Sequence, residues 1–196
     1  MHGLINRSVQ CFIRDSYGEA SWAAVARETR LDHVSYEPML GAVPGLTTRL
    51  IDAAHRVLGH PRETVLEDLG TYLASHSNMT VVRRLLRFGG VDYLEFLHSL
   101  RDLRERARLA VDDLDLPRMD LAEQGDGAYL LTCSVPIPGI GHVIMGLLRA
   151  MADDYGALVI LDHLGNLDGA EIVYIQLVDE SHAVGNPFAL AVRGGG

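Results

Sequence analysis

Cysteine is scarce in this sequence, and long apolar runs are absent. Cys11 and Cys133 are the only two cysteines, and neither stands in a Cys-x-x-Cys or Cys/His ligand spacing, so no zinc site or disulfide framework is indicated. No stretch approaches about 18 uninterrupted apolar residues, and the N-terminus lacks the basic and apolar regions of a secretory signal. We therefore expect a soluble protein of the reducing cytoplasm. Both thiols are most simply buried apolar side chains, and a redox pair of neighbours in the fold is the alternative.

Positive charge and catalytic motifs are lacking as well. The 17 basic side chains stand against 26 acidic ones, and the formal net charge of -9 argues against nucleic-acid and membrane partners. The sequence contains no Gly-x-Ser-x-Gly, no phosphate-binding loop and no Gly-x-Gly-x-x-Gly. Adjacent carboxylates such as Asp153 and Asp154 point about 100° apart on a helix and do not make an acid/base pair. We therefore expect a protein that is not an enzyme and that has small-molecule or protein partners.

Apolar residues at helical spacing fill the first half of the chain, and its 48% hydrophobic content is enough for one sizeable core. Glycine and proline mark the ends of the segments. The predicted helices are one ending at Tyr17-Gly18, one over 22–29 capped by Ser21, one capped by Thr47 or Thr48, one over 62–75, one over 80–88 and one over 91–109.

Beyond Pro117 the apolar period changes from about 3.6 to 2. Alternating apolar residues on both sides of Gly125-Asp126-Gly127 predict a β-hairpin, followed by a helix over 143–155 and strands over 158–161 and 171–177 joined by a turn at 165–169. This order predicts an α+β fold, with an N-terminal helical lobe packed on a small antiparallel sheet that has an inserted helix.

One domain over residues 1–182 accommodates all of these elements. We expect a helical subdomain over about 1–60 and a pocket-forming α+β part over about 61–182. The remaining residues, 183–196, form a tail that ends in three glycines, which have no packing reason to be ordered.

Arg104 falls on the apolar face of the predicted 91–109 helix, beside Tyr93, Phe96 and Leu100, whereas His98 points almost the opposite way. A guanidinium in that position must lie along apolar surface with its head in water or meet an anionic partner, because an unpaired buried charge is costly. This arginine is the first candidate functional residue.

Several segments resemble, in order and spacing, those of H-NOX domains, the heme–nitric oxide/oxygen binding family. They are MHGLI at 1–5, EDLGTYL at 67–73, RRLLRFGG at 83–90, FLHSLRDL at 96–103 and GHVIMGLLRAMADDYG at 141–156. The resemblance covers about residues 1–180. It implies heme b between the helical lobe and the sheet, with nitric oxide as the diatomic ligand. Because 196 residues leave no room for an output domain, it also implies a stand-alone sensor that signals to a partner such as a histidine kinase or a cyclic-di-GMP enzyme.

The resemblance also supplies expectations for individual positions. Alignment of FLHSLRDL through Pro117 places the family's heme-ligating histidine on Arg104, whose guanidinium has no lone pair to offer iron. The family's Tyr-x-Ser-x-Arg motif for the heme propionates falls on Ser134, Pro136 and Pro138 and is therefore absent. The implied pocket positions are Ile5, Val9, Leu100, Arg104, Pro117, Val143 and Leu147.

Val9 and Val143 stand where distal aromatic residues occur in the family, so no phenol would donate to O₂ and a bound heme would favour NO. His98 and His142 are the candidate substitute iron ligands, although His98 and Arg104 lie roughly 120° apart on one helix and cannot face the same pocket. The alternative function is a heme-free interaction or small-ligand module on the same fold, in which Arg104 pairs with a carboxylate.

Overall fold

The computed structural model describes residues 2–30, 45–110, 116–134 and 137–178. Helices come first and two β-hairpins follow, with one long helix between the hairpins. The helices are α1 (His2–Tyr17), α2 (Glu19–Glu28), α3 (Leu46–Leu58), α4 (Arg62–Ser75), α5 (Thr80–Arg87), α6 (Tyr93–Ser99), α7 (Leu103–Ala110) and α8 (Ile140–Tyr155). The strands are β1 (Arg118–Gly125), β2 (Ala128–Ser134), β3 (Val159–Leu167) and β4 (Ala170–Leu177). This arrangement confirms the predicted α+β fold.

The four strands form one antiparallel sheet in the order β1-β2-β4-β3. Side chains alternate across it, so that cross-strand rows such as Leu131 opposite Val173 face inward and are fully buried. Helix α8 packs on this inner face, and its residues 143–148 are all buried. It is therefore enclosed between the sheet and the helices that precede it.

Two hydrophobic clusters meet along α4 and α8. Val65, Leu66, Leu69 and Tyr72 of α4 pack with α1, α2 and α3, whereas Ala74 packs with α6, α8 and the sheet. Val143 extends from α8 into the first cluster. The predicted tail over 183–196 lies outside the described residues. Within the part of the chain that is described, no helix is long and apolar enough to cross a membrane.

Glycines allow α4 and α8 to approach closely. A Cβ atom on Gly70 would lie 1.9 Å from the carbonyl oxygen of Val143, and one on Gly146 would lie 1.9 Å from that of Glu67. The Thr71 hydroxyl donates to the Gly146 carbonyl oxygen at 3.2 Å and bridges the same crossing. Backbone thus packs on backbone where the two helices cross.

Two predicted helix caps are wrong. Helix α2 begins three residues earlier than predicted, after Gly18 at φ +86°, and Ser21 donates to the Tyr17 carbonyl oxygen at 2.9 Å instead of capping. Helix α3 begins after Gly45, and Thr47 donates to Asn6 Oδ1 at 2.7 Å in the interior. A hydroxyl inside a helix finds other acceptors, while glycine supplies the left-handed entry without a side chain.

The predicted continuous 91–109 helix is also wrong in part. Asp92 caps α6 by accepting from the Glu95 N–H at 2.8 Å, and Glu95 accepts from the Val91 N–H at 2.9 Å, so the helix starts at Tyr93. A 3-10 turn over Leu100–Asp102 then separates α6 from α7. A tighter turn inside a helix rotates the following side chains relative to an ideal wheel.

The second hairpin differs from its prediction at the turn. β3 runs to Leu167, because Gly165 at φ +97° is accommodated as a β-bulge within the strand rather than opening the turn. The turn itself is at Asp168 and Gly169, both with positive φ.

Helix α8 begins at Ile140, three residues before the predicted start, after Gly139 in the left-handed conformation.

Candidate functional site

Most of the predicted apolar pocket positions lie in the two hydrophobic clusters, which we call the helical cluster (α1 to α4) and the sheet cluster (α6, α8 and the sheet). Val9 of α1 and Val143 belong to the helical cluster, whereas Leu100 and Leu147 belong to the sheet cluster. Val143 and Leu147 are four residues apart and share one face of α8. Ile5 is half-buried on α1, and Pro117 is buried just before β1. Four of the six predicted apolar positions therefore belong to the two clusters.

Arg104 is half-buried on α7, next to the buried Leu103 and three residues before the buried Ala107. The structure thus places this arginine beside Leu103 of the sheet cluster. A guanidinium is a donor only, with no lone pair for a metal, so Arg104 can meet an anion or an acceptor but cannot ligate iron.

His98 lies at the surface of α6. Its neighbours Phe96, Leu97 and Leu100 are buried, but His98 is exposed, and the edge of its ring contacts Tyr129 of β2 with the centroids 6.3 Å apart at 88°. Its nitrogens are therefore not directed among the buried apolar side chains of the sheet cluster.

His142 takes part in a polar cluster at the start of α8, which we call the α8 entry cluster: Glu67, His142, Arg149, His163 and Glu171. The His142 ring stacks on the His163 ring at 4.2 Å, and its Nδ1 lies 3.4 Å from Glu67 Oε1. Arg149 donates to the other oxygen of Glu67 at 2.9 Å. His142 is thus half-buried and already in contact with two side chains of the protein.

Glu171 is the buried centre of the α8 entry cluster. Its carboxylate accepts from the backbone N–H groups of Gly139 and Gly141, the latter at 2.7 Å, and lies 3.1 Å from His163 Nε2. Burial raises the pKa of Glu171, but the two backbone donors and His163 outweigh it, and the pKa lies below its ordinary value. The ionised carboxylate therefore satisfies the first N–H groups of α8 from the sheet.

Sequence reasoning missed His163 and Glu171. The signal was present, because Glu171, Val173, Ile175 and Leu177 form one inward row of β4, with an acid at its first position. A buried carboxylate requires donors, and the glycines of the PIPGIG segment supply them. Gly141 is also required sterically, because a Cβ there would lie 2.6 Å from the His163 ring.

These positions do not fit a histidine-ligated heme. Ser134 and Pro138 are exposed, and Pro138 only accepts a hydrogen bond through its carbonyl oxygen from Arg62 at 3.1 Å, while Pro136 lies outside the described residues. Within the described ranges, no three or more His, Cys, Asp or Glu side chains converge as a metal site. Arg104 has no nitrogen lone pair for iron and His98 is exposed, while His142 contacts Glu67 through Nδ1 and stacks on His163.

The two cysteines are not brought together as a redox pair. Cys11 is half-buried against the helical cluster, Cys133 is buried in the sheet cluster, and both are free thiols. Burial, and then the charge of Glu171 on the neighbouring strand, raises the pKa of Cys133 to about 12. A thiol in that environment is unreactive, which agrees with the expectation of a buried apolar side chain.

A helical layer, a four-stranded antiparallel sheet and a helix enclosed between them define the architecture of this chain. A sequence model of the family described as haem-NO-binding matches residues 2–163. The chain therefore belongs to the haem-NO-binding family, as the resemblance indicated. Domains of this family are sensors and not catalytic domains.

Solved structures support the same fold. An H-NOX protein from S. oneidensis superposes with a TM-score of 0.76 at 15% identity, covering 91% of this chain and 97% of that chain. The I5F mutant of T. tengcongensis H-NOX gives a TM-score of 0.73 at 14% identity, covering 91% and 98%. At this level of identity the likeness establishes the fold alone.

Two curated relatives are similar over part of their length. Soluble guanylate cyclase gcy-31 of Caenorhabditis elegans is 24% identical over 154 residues, which cover 79% of this chain and 22% of that protein. Guanylate cyclase soluble subunit beta-2 of Rattus norvegicus is 29% identical over 93 residues, which cover 47% of this chain and 14% of that protein. The chain thus spans less than a quarter of either relative.

Proposed function

We propose that this chain is a sensory and regulatory domain without catalytic activity, whose pocket is not built for a histidine-ligated heme and whose output is contact with a partner protein. Membership of the haem-NO-binding family supports the sensory role. The departure from heme is supported by half-buried Arg104 of α7, which the sequence alignment assigns to the family's ligand position. Arg104 would instead favour an anionic or acceptor ligand, such as a carboxylate.

The moving element in this proposal is the segment from α6 through α7. The 3-10 turn over Leu100–Asp102 divides it, and 3-10 turns inside helices often mark hinges. Tyr93, Phe96 and Leu97 anchor α6 in the sheet cluster, whereas α7 buries only Leu103 and Ala107 among its described side chains. A ligand that contacts α7 differently in two positions would shift its equilibrium and thereby the surface offered to a partner.

The second candidate function is nitric oxide sensing through heme b. It is supported by the family match over residues 2–163 and by the fold of a neighbour, the S. oneidensis H-NOX protein that was solved in its Fe(II)NO ligation state. In that case His98 or His142 would have to supply the iron ligand, and apolar Val9 and Val143 would favour NO over O₂. The partner would be a cytoplasmic signalling enzyme, such as a histidine kinase, a cyclic-di-GMP enzyme or a cyclase.

Hemin titration of the purified protein separates the two candidates. We expect no stoichiometric Soret band for the wild type, and a stoichiometric band that shifts with NO for Arg104→His, because imidazole would restore the missing ligand. Arg108→His, on the same helix, is the matched control and should gain no band. Stoichiometric heme in the wild type would overturn the leading proposal, and His98→Ala and His142→Ala would then identify the ligand.

A further inference from the structure

A groove of about 270 Å³ lies between the end of α1 and the second half of α4. Its walls include Phe12, Ser16 and Tyr17 from the first helix and Asp68 and Tyr72 from the second, with His76 at one end. None of these residues belongs to the positions discussed for the heme pocket. The groove therefore requires an explanation of its own.

Aromatic rings form much of the groove. Tyr17 meets Phe12 edge to face with centroids 5.7 Å apart, and Phe12 meets Tyr72 at 5.6 Å. Tyr72 in turn stacks on His76 at 4.5 Å. Phe12 and Tyr72 are buried, so the rings are held in place, whereas Tyr17 is half-buried and the electron-rich face of its ring can attract positive charge.

The hydroxyl hydrogens around the groove are already used within the protein. Tyr17 donates to Asp68 Oδ2 at 3.1 Å, and Tyr72 donates to Asp15 Oδ2 at 2.6 Å. Thr71 donates to the Gly146 carbonyl oxygen at 3.2 Å, and Ser75 donates to that of Thr71 at 2.7 Å. These four hydroxyls can therefore offer a ligand only their lone pairs.

The carboxylates of Asp68, which lines the groove, and of Asp15, which accepts from Tyr72, are held in place but not saturated. Their hydrogen bonds with described residues all fall on the Oδ2 atoms, so Oδ1 of Asp68 and of Asp15 makes none within the part of the chain that is described. The hydrogen bond from Tyr72 lowers the pKa of Asp15, and burial and Asp68 raise the pKa of Tyr17. At neutral pH Asp15 is thus ionised and Tyr17 is protonated.

Few positive charges oppose these two carboxylates. Arg14, whose charge lowers the pKa of Asp15, pairs with Glu19 at 2.7 Å. The other contacts of Asp15 are with Tyr72, with neutral Asn78 and with the His76 ring, whose Nδ1 lies 3.8 Å away. The groove consequently offers acceptors, negative charge and π-faces together. A ligand that matches it must carry donors and a positive charge.

We propose that this groove binds an organic cation, a guanidinium or alkylammonium group, that donates to the Asp68 carboxylate and packs on the Tyr17 ring. Its volume suits the head of such a group rather than a large ligand, since sites for drug-sized molecules begin at about 300 Å³. The group can belong to a free small molecule or to an Arg or Lys side chain of another protein. Both share the same chemistry at the groove.

The full chain, at pH 8 and low salt, is titrated with three probes while backbone amide chemical shifts of α1 and α4 are followed. The probes are butylguanidine, its neutral counterpart butylurea, and a short capped peptide with one central arginine. We expect saturable binding of butylguanidine, and binding of butylurea weaker by about tenfold or more, because a charged hydrogen bond is lost. Binding should also weaken as salt screens the carboxylates.

Two variants test the site, and one serves as a control. Asp68→Asn keeps an acceptor for Tyr17 but removes the charge, and Ser16→Arg places a guanidinium of the chain itself at the mouth of the groove. Both should weaken butylguanidine binding by about tenfold or more. Asp120→Asn, on exposed β1 beside Arg118, should leave it unchanged. Melting curves of each variant establish that it folds.

A peptide that binds about tenfold tighter than butylguanidine supports the proposal with a protein side chain as the ligand, and equal affinities support it with a free small cation. Three results would overturn it: no saturable shift with either cation, equal affinity for butylurea, or the same affinity in Asp68→Asn and Asp120→Asn. Ser16→Arg provides an independent reading if Asp68→Asn does not fold.

Discussion

Gly70 and Gly146 form a reciprocal contact, in which each lacks the side chain that would strike the other helix's backbone at 1.9 Å. In ordinary helices glycine costs about 1 kcal/mol relative to alanine, so neither glycine favours its own helix. Their value lies in the crossing of α4 and α8, where the carbonyl oxygens of Val143 and Glu67 occupy the space of the missing Cβ atoms.

Gly146→Ala should therefore destabilise the protein by about 3 kcal/mol or more, despite the better helix propensity of alanine, because overpacking against backbone cannot be relieved by a rotamer change. Urea unfolding measures the free energy. Gly59→Ala is the control, since that position has open space but φ +69° and should lose only about 1 kcal/mol. Equal losses in the two variants would contradict the steric explanation.

Glu171 should make the stability depend on pH in the acid range. Its folded pKa lies below the unfolded value of about 4.3, so its contribution is present above that pH and is lost as the pH falls through the folded pKa. Glu171→Gln should cost about 1–3 kcal/mol at pH 7, and this difference should shrink at pH 3 to 4. Unfolding curves at both pH values test this. Glu123→Gln, exposed on β1, should show neither effect.

Tyr93 should couple α6 to α8 through its hydroxyl. The ring is fully buried, burial raises the pKa of Tyr93, and the O–H donates to the Leu148 carbonyl oxygen at 3.1 Å. Tyr93→Phe should lower the free energy of unfolding by about 1 kcal/mol and speed hydrogen exchange in α6. Tyr174→Phe, whose hydroxyl donates to Gln176 on the sheet, is the matched control. Unaltered exchange in α6 would refute the coupling.

The two thiols should differ in reactivity toward a disulfide reagent. Cys133, with its pKa raised to about 12 and no exposed surface, should be labelled only after unfolding, whereas half-buried Cys11 should react in the native state. Comparison of Cys11→Ser and Cys133→Ser at pH 8 assigns the rates. Rapid native labelling of the Cys11→Ser variant would mean that the sheet cluster opens readily.

Apolar periodicity predicts the order of the elements, because the burial of one face determines the spacing of apolar residues. Helices α1, α4 and α5 accordingly end within a residue of their predicted limits. The starts of α2 and α3, which are set by glycine backbone geometry, were harder to predict, since Ser21 and Thr47 are more familiar helix caps than Gly18 and Gly45. The bulge at Gly165 is likewise invisible to a two-residue period, because glycine is equally consistent with a turn.

The candidate site likewise contains features that the sequence predicts and others that depend on contacts in the folded chain. The anomaly of Arg104 follows from its position on a wheel, whereas the interruption at Leu100–Asp102 depends on how α6 and α7 pack. His163 and Glu171 meet the start of α8 only when β3 and β4 are paired, so their roles arise from contacts between distant segments. The groove between α1 and α4 similarly requires Tyr17 and Asp68, 51 positions apart, to become neighbours.

Because backbone lies directly on backbone where α4 crosses α8, these two helices can hardly slide past each other. They would form a rigid unit, against which the α1–α3 helices pack in one cluster and the α6–α7 segment packs in the other. A displacement caused by a ligand would then move the α1–α3 helices or the α6–α7 segment relative to the α4–α8 unit. A partner protein that contacts both the α4–α8 unit and α7 would then respond to a change in the distance between them.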